Sequence, residues 1–321
     1  MAVNSNTVET FDVTTLREDL QEALEMVSAT DAPFMSAIDK RSVSNTLFEW
    51  PEISLAAVNG SNRVSEGEAT PGNDAATLPI RVQNYTQISD KMVEVSDTAE
   101  AVNGASDAQS IAEQVALKLK ELKRDMETML TANVAAAAGS SGTARTTAGL
   151  GAWVKTNTNK GTGGAEPTTS GSGNAGYPNA ARTDGTLRTI TEAMMNDVVK
   201  QCWDEGAEPT LMMVGSAVKQ KVSSTFTGNS TRYKSADDAR LQGAIDVIST
   251  DFGEISLVPN RFSRARDAWI LDPNYAQIAY LQETKQQDIA RTGHATRKLI
   301  SCEYGLQVTE KGHGLIADVQ G

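Results

Sequence analysis

Several groups of residues have types and spacings that would permit chemistry. Gly171, Gly173 and Gly176 form a G-x-G-x-x-G run. That spacing receives a pyrophosphate only when a strand precedes it and a helix opens from it. Here Pro167-Thr168-Thr169-Ser170 precedes and Tyr177-Pro178-Asn179 follows, so the match reads as chance within a glycine-rich loop. A nucleophile–base pair would have to join Cys302 to His294 or His313. Cys302, however, falls in the apolar phase of its strand, where a thiol packs rather than reacts. Asp204, Glu205 and Glu208 offer carboxylates for a cation or for acid–base work, but beside Gly206 at a helix end they read as a solvated rim. Arg261, Arg264 and Arg266 form a basic loop cluster suited to phosphates or to acidic neighbours across an interface. The sequons at Asn84 and Asn229 carry meaning only in a secreted chain. No catalytic, cofactor-binding or metal-ligating constellation is expected, and no enzyme.

The chain of 321 residues is long enough to bury a large core without staples. Its 29 basic and 41 acidic residues leave a net charge of −12, which argues against a phosphate-tracking surface as its main business. Two distant cysteines cannot make a disulfide framework or a four-ligand zinc site. The stretch Met1 to Val13 lacks a basic segment followed by an apolar one, and no apolar run approaches membrane-spanning length. The expectation is a chain neither exported by the usual route nor embedded in a bilayer, from a reducing cytosol.

The elements that must position these residues follow from periodicity. A helix is expected from about Thr15, where Thr15 and Glu18 make a capping box and Leu16, Leu20, Leu24 and Val27 recur at turn spacing. From Leu47 to Val95 the texture is strand, opening with Leu47-Phe48-Glu49-Trp50, and Leu78, Ile80 and Val82 alternate with Pro79, Arg81 and Gln83. Between them lies a polar tip, Asn59-Gly60-Ser61-Asn62-Arg63-Val64-Ser65-Glu66-Gly67-Glu68, which suggests a long hairpin reaching away from the body. A rod helix capped by Ser106 and Gln109 is expected to run to Ala138 and stop at Gly139, roughly 45–50 Å long. Residues 139–185, rich in Gly, Ser and Thr, read as an insertion, a lid or an interaction loop anchored by Trp153. Helices from about Thr186 to Glu205 and from Ser216 to Val222 follow. Strands come after, the cleanest alternating through Ile300, Cys302, Tyr304, Leu306 and Val308. The class is α+β.

This order of parts resembles the major capsid proteins of tailed bacteriophages, the Hong Kong 97-type capsid fold shared with encapsulin shells. The residues that carry the resemblance are Ala32-Pro33-Phe34, Leu47-Phe48-Glu49-Trp50, Glu66-Gly67-Glu68, the island Gly149 to Val154, Glu303 to Val308 and His313 to Ile316. It implies an N-terminal arm (1–45), an extended hairpin loop (46–92), a peripheral domain with a spine helix (93–150) and C-terminal strands (282–321). An axial domain (151–281) would include the Gly/Ser/Thr-rich insertion at 155–185. It further implies self-assembly into pentamers and hexamers of an icosahedral virion head, built in the host bacterial cytoplasm around DNA without sequence-specific binding. Candidates for contacts between subunits are Phe34, Trp50, Arg63, Glu66, Glu68, Trp153, Arg261, Arg264 and Arg266. The alternatives are an encapsulin-like nanocompartment shell and an enzyme of another fold.

Some members of that family crosslink through a lysine in the extended loop, yet no lysine occurs here between Lys40 and Lys91. A non-covalent shell is therefore expected. No long helical region precedes the arm, so a separate scaffolding protein or a self-assembling subunit is expected, beside a portal and a possible decoration protein.

Overall fold

The computed structural model describes residues 31–63, 65–67, 76–102, 110–226, 246–291 and 293–321. The helix expected from Thr15, the cap at Ser106 and Gln109, and the candidate contact Glu68 lie outside the described residues. The first described element is a short helix, α1 (Pro33–Ala37), with proline in its first turn. Strands β1 (Asp39–Ser42), β2 (Leu47–Glu52), β3 (Ile80–Tyr85) and β4 (Gln87–Ser96) follow, then helices α2 (Asp97–Ala101) and α3 (Ile111–Leu130). The glycine-rich stretch holds α4 (Leu150–Trp153) and the short strands β5 (Thr158–Asn159), β6 (Thr168–Thr169) and β7 (Pro178–Ala180), with β8 (Arg188–Thr189) just beyond it. Next come α5 (Glu192–Asp204), β9 (Leu211–Val214), α6 (Ser216–Thr225), β10 (Val247–Thr250), β11 (Gly253–Pro259) and β12 (Ala268–Leu271). Two 14-residue strands, β13 (Ala276–Ile289) and β14 (Ala295–Val308), precede β15 (His313–Ile316) and β16 (Val319–Gln320).

Two sheets organise the chain. The first has the order β1-β13-β14-β4, and α3 lies across β4 and β14. The second has the order β10-β11-β9-β12-β15-β5. One face of this second sheet, carrying Met213, Trp269, Leu271 and Leu315, joins the core beneath the first sheet. Its other face, with Met212, Val214, Ile270 and Ile316, packs on Val198 and Cys202 of α5 and on Val218 and Val222 of α6. The alternation read in the sequence is realised in β14, where Ile300, Cys302, Tyr304, Leu306 and Val308 are all buried. The final stretch 282–321 serves both sheets, because β14 belongs to the first and β15 to the second.

The rod helix is shorter than its periodicity suggests. It is capped by Ser110, whose hydroxyl accepts from the Ala112 N–H, and it ends at Leu130. Its twenty residues therefore span about 30 Å. The chain leaves the helix because tertiary partners take over its backbone groups. Gly151 N–H donates to the Ala132 carbonyl, Ala136 N–H to the Pro178 carbonyl, and Ala137 pairs with Thr146. The backbone of Gly149 passes so close that a Cβ there would lie 2.3 Å from the Ala132 oxygen. Helix α5 likewise starts late, at Glu192 with Thr191 as its cap, because Arg188 and Thr189 are drawn into a ladder with Val319 and Gln320.

Candidate assembly interface

The hairpin is present. Strands β2 and β3 pair antiparallel from Leu47↔Tyr85 to Glu52↔Ile80, and the chain continues past the paired part at both strand ends. In this ribbon Ile53 is 62%, Leu55 87%, Val58 98% and Leu78 76% exposed. Side chains of this kind normally bury, at about 1.5–3 kcal/mol each, and an isolated two-stranded ribbon is marginal in water. Arg63 and Glu66 are also exposed on the ribbon. The apolar residues Ile53, Leu55 and Val58 escaped the sequence reading because they follow no sustained strand period; their one signal was apolar type beside a turn-rich tip.

The ribbon's base is fixed within the chain. Trp50 sits 5.8 Å from the Phe48 ring and 5.4 Å from the Trp153 ring, and all three are buried. Phe34 is fully buried as well. The structure thus places Phe34, Trp50 and Trp153 in this chain's own core, because large apolar rings found partners in cis. The glycine-rich stretch is the buttress of that base. Gly176 N–H donates to the Arg81 carbonyl and Gln83 N–H to the Gly176 carbonyl, adding a rung to the outer edge of β3. Gly173 and Gly176 take positive φ, so the G-x-G-x-x-G run is a tight turn under the ribbon rather than a phosphate cradle. Glu310 clamps the same region, accepting from the backbone N–H groups of Lys155 and Thr156 and from Asn174 Nδ2.

An ionic network ties this stretch to the second sheet. Arg264 pairs with Asp184 and Asp267, and Arg266 with Asp184 and Asp318. The basic loop cluster is therefore largely neutralised in cis, and only Arg261 of the three is exposed. Arg264 holds its aspartate partner Asp184 below the usual carboxylate range. Asp267 behaves oppositely: burial pushes it up to about 6 despite Arg264, and its Oδ1 has no hydrogen-bond partner. Asp318, at φ 60°, accepts from the N–H groups of Gly161 and Gly185.

One further buried acid was missed by the sequence reading. Glu127, on α3, accepts from Phe34 N–H at 2.8 Å, Met35 N–H at 2.9 Å and Asn260 Nδ2 at 2.6 Å. It fixes where the N-terminal stretch meets the body. Burial pushes its carboxyl above the ordinary value, against the pull of those donors.

The remaining chemical candidates do not converge. Cys302 Sγ lies 3.7 Å from Met126 Sδ, and burial pushes its thiol up to about 11. His294 pairs with Asp97 at 3.2 Å on the surface, while His313 is wholly buried and held neutral, down to about 4. Glu205 pairs with Lys311. Among the described residues no group of His, Cys, Asp and Glu is placed to hold a metal ion. No described helix is long and apolar enough to cross a membrane.

Comparison with known proteins bears on these features. A family model described as SU10 major capsid protein matches residues 4–320. Over 107 residues the chain is 36% identical to the major capsid protein of Escherichia phage Phieco32, a match covering 33% of this chain and 30% of that protein. The chain thus spans under a third of that relative's length in the matched region. In fold it is similar to a capsid chain of Cyanophage A-1(L), with TM-score 0.65 at 10% identity, over 98% of this chain and 100% of that one. An encapsulin from Synechococcus elongatus PCC 7942 gives TM-score 0.55 at 11% identity, over 93% and 92% of the two chains.

Proposed function

The chain belongs to the SU10 major capsid protein family, and from that premise we propose that its copies assemble, as pentamers and hexamers, into the icosahedral head that encloses phage DNA. The observation that carries the reading is the ribbon between β2 and β3, whose Ile53, Leu55, Val58 and Leu78 stand in solvent. A subunit that holds its ribbon base rigid in cis and leaves the ribbon's apolar side chains bare is built to bury them in trans. Arg63, Glu66 and Arg261, exposed in the single chain, are the charged contacts of that interface; Glu68 is assigned with them on its sequence position.

In this scheme residues 1–45 form the arm, 46–92 the extended loop, 93–150 with the C-terminal strands at 282–321 the peripheral body, and 151–281 the axial body. Scaffolding, portal and decoration proteins are its partners, and assembly takes place in the host cytoplasm. The net charge of −12 suits a container, because strong binding would hinder DNA entry and exit. The nanocompartment alternative shares the fold, but the family and the phage relative favour the viral head.

Sedimentation velocity with negative-stain imaging tests the proposal, comparing the wild type with Val58→Asp. The wild type is expected to give pentamers, hexamers or hollow shells, and the variant a light species with an unchanged unfolding midpoint. A wild type that stays monomeric even when co-expressed with neighbouring genes overturns the reading. So does a variant that assembles as readily as the wild type.

A further inference from the structure

The ribbon tip carries Asn59-Gly60 in a geometry that activates the asparagine side chain. Asn59 is exposed and its Oδ1 accepts a hydrogen bond from the Ser61 N–H at 3.0 Å. The Asn59 carbonyl accepts from the Asn62 N–H at 3.3 Å, which closes the turn. The Ser61 hydrogen bond folds the side chain forward along the chain, toward the Gly60 amide that lies between the two bonded groups. Apart from its two chain neighbours, no residue comes within 4 Å of the position a Cβ on Gly60 would occupy, so no other part of the chain crowds the turn. The Ser61 N–H is bound to the very oxygen on which negative charge would develop if Cγ were attacked, the arrangement that stabilises a tetrahedral intermediate.

We propose that Asn59-Gly60 is a self-modifying site that closes to a cyclic imide and reopens as an acid. Solvent base removes the Gly60 amide proton, and the nitrogen attacks Asn59 Cγ. The new N–Cγ bond forms, the Cγ–Nδ2 bond breaks, and Nδ2 leaves as ammonia carrying the proton returned from solvent. Water then adds to either imide carbonyl, leaving an aspartyl or an isoaspartyl residue at position 59. No oxidant, reductant or metal enters the balance. The product adds a negative charge to a tip that already bears Glu66, and the isoaspartyl form reroutes the backbone through the side-chain methylene. This chemistry stands apart from the shell reading. Its consequence rests on that reading: docking on a neighbouring copy shields the tip, so subunits left unassembled age while assembled ones do not.

The test incubates the full-length chain, unassembled, in mildly alkaline buffer beside a synthetic peptide covering residues 54–66. Peptide mapping by mass spectrometry follows aspartyl and isoaspartyl formation at position 59. The folded chain is expected to convert faster than the peptide. Ser61→Pro, which deletes the donating N–H, is expected to slow it roughly fivefold, the worth of one exposed hydrogen bond. Ser61→Ala, which keeps that N–H, leaves the rate unchanged. A folded chain slower than the peptide, or equal rates for the two Ser61 variants, overturns the proposal. Mapping an assembled fraction in parallel separates the consequence: protection there supports it, and equal conversion refutes the shielding alone.

Discussion

Replacing Asp267 by asparagine should stabilise the subunit at neutral pH, although Asp267 pairs with an arginine. The pair is good by geometry, with Arg264 Nη1 at 3.0 Å from Oδ2. Yet Asp267 is 1% exposed and Oδ1 finds no donor, so half of the carboxylate's solvation is lost without replacement. Burying a charge costs more than one contact returns unless its remaining lone pairs are satisfied. The folded pKa is therefore pushed from 3.8 to about 6. On Arg264 the balance falls the other way, because its acidic partners Asp184 and Asp267 outweigh burial. Arg264 has two carboxylates to hold it charged, whereas Asp267 has one satisfied oxygen. A raised folded pKa means that the native state binds the proton more tightly than the unfolded chain. The contribution is fully present below pH 3.8 and is lost as pH rises through about 6. Two pH units at about 1.4 kcal/mol each set the loss at up to about 3 kcal/mol. The amide introduced by Asp267→Asn would imitate the protonated form at every pH.

Urea unfolding of wild type and Asp267→Asn, on unassembled subunits from about pH 4 to about pH 8, checks this. The two midpoints should coincide at the acid end, draw apart as pH rises toward about 6 and stay apart above it, with the variant the more stable. A variant less stable than wild type by about 1 kcal/mol or more at the alkaline end would refute the reasoning: the Arg264 pair would then outweigh the desolvation.

Trp153→Ala should cost about 3–5 kcal/mol, because the ring fills the joint between the ribbon base and the core beside Trp50; thermal unfolding measures it. Glu127→Leu leaves three N–H donors without an acceptor and should cost about 3–6 kcal/mol, with earlier protease cleavage ahead of Pro33. A loss under about 1 kcal/mol would mean that water reaches those donors. Val58→Asp should leave subunit stability within about 0.5 kcal/mol, since Val58 is 98% exposed, while sedimentation shows assembly lost.

The sequence by itself determined the elements whose signal is local. Strand β14 was legible because one side chain in two had to be apolar, and Ile300 through Val308 obey that without a break. The α+β class, the hairpin opened by Leu47 to Trp50 and the anchoring role of Trp153 were legible for the same reason: period and residue type act on neighbours in the chain. The capsid resemblance was legible in the order of the parts, and the family match agrees with it. Tertiary structure decided where periodicity yields to competition. Ala132 to Ala138 include good helix formers, yet their amides and carbonyls pair with Gly149, Gly151, Thr146 and Pro178, so α3 stops at Leu130. It also decided which candidate contacts remain available. Phe34, Trp50 and Trp153 are apolar like Leu55 and Val58, but only the first three meet partners within the chain. Glu127 and Asp267 looked like any acids in the sequence, because burial and the supply of donors depend on residues far away in the chain. Whether a side chain is spent inside the subunit or left for another copy is a property of the packed whole, and no spacing along the chain records it.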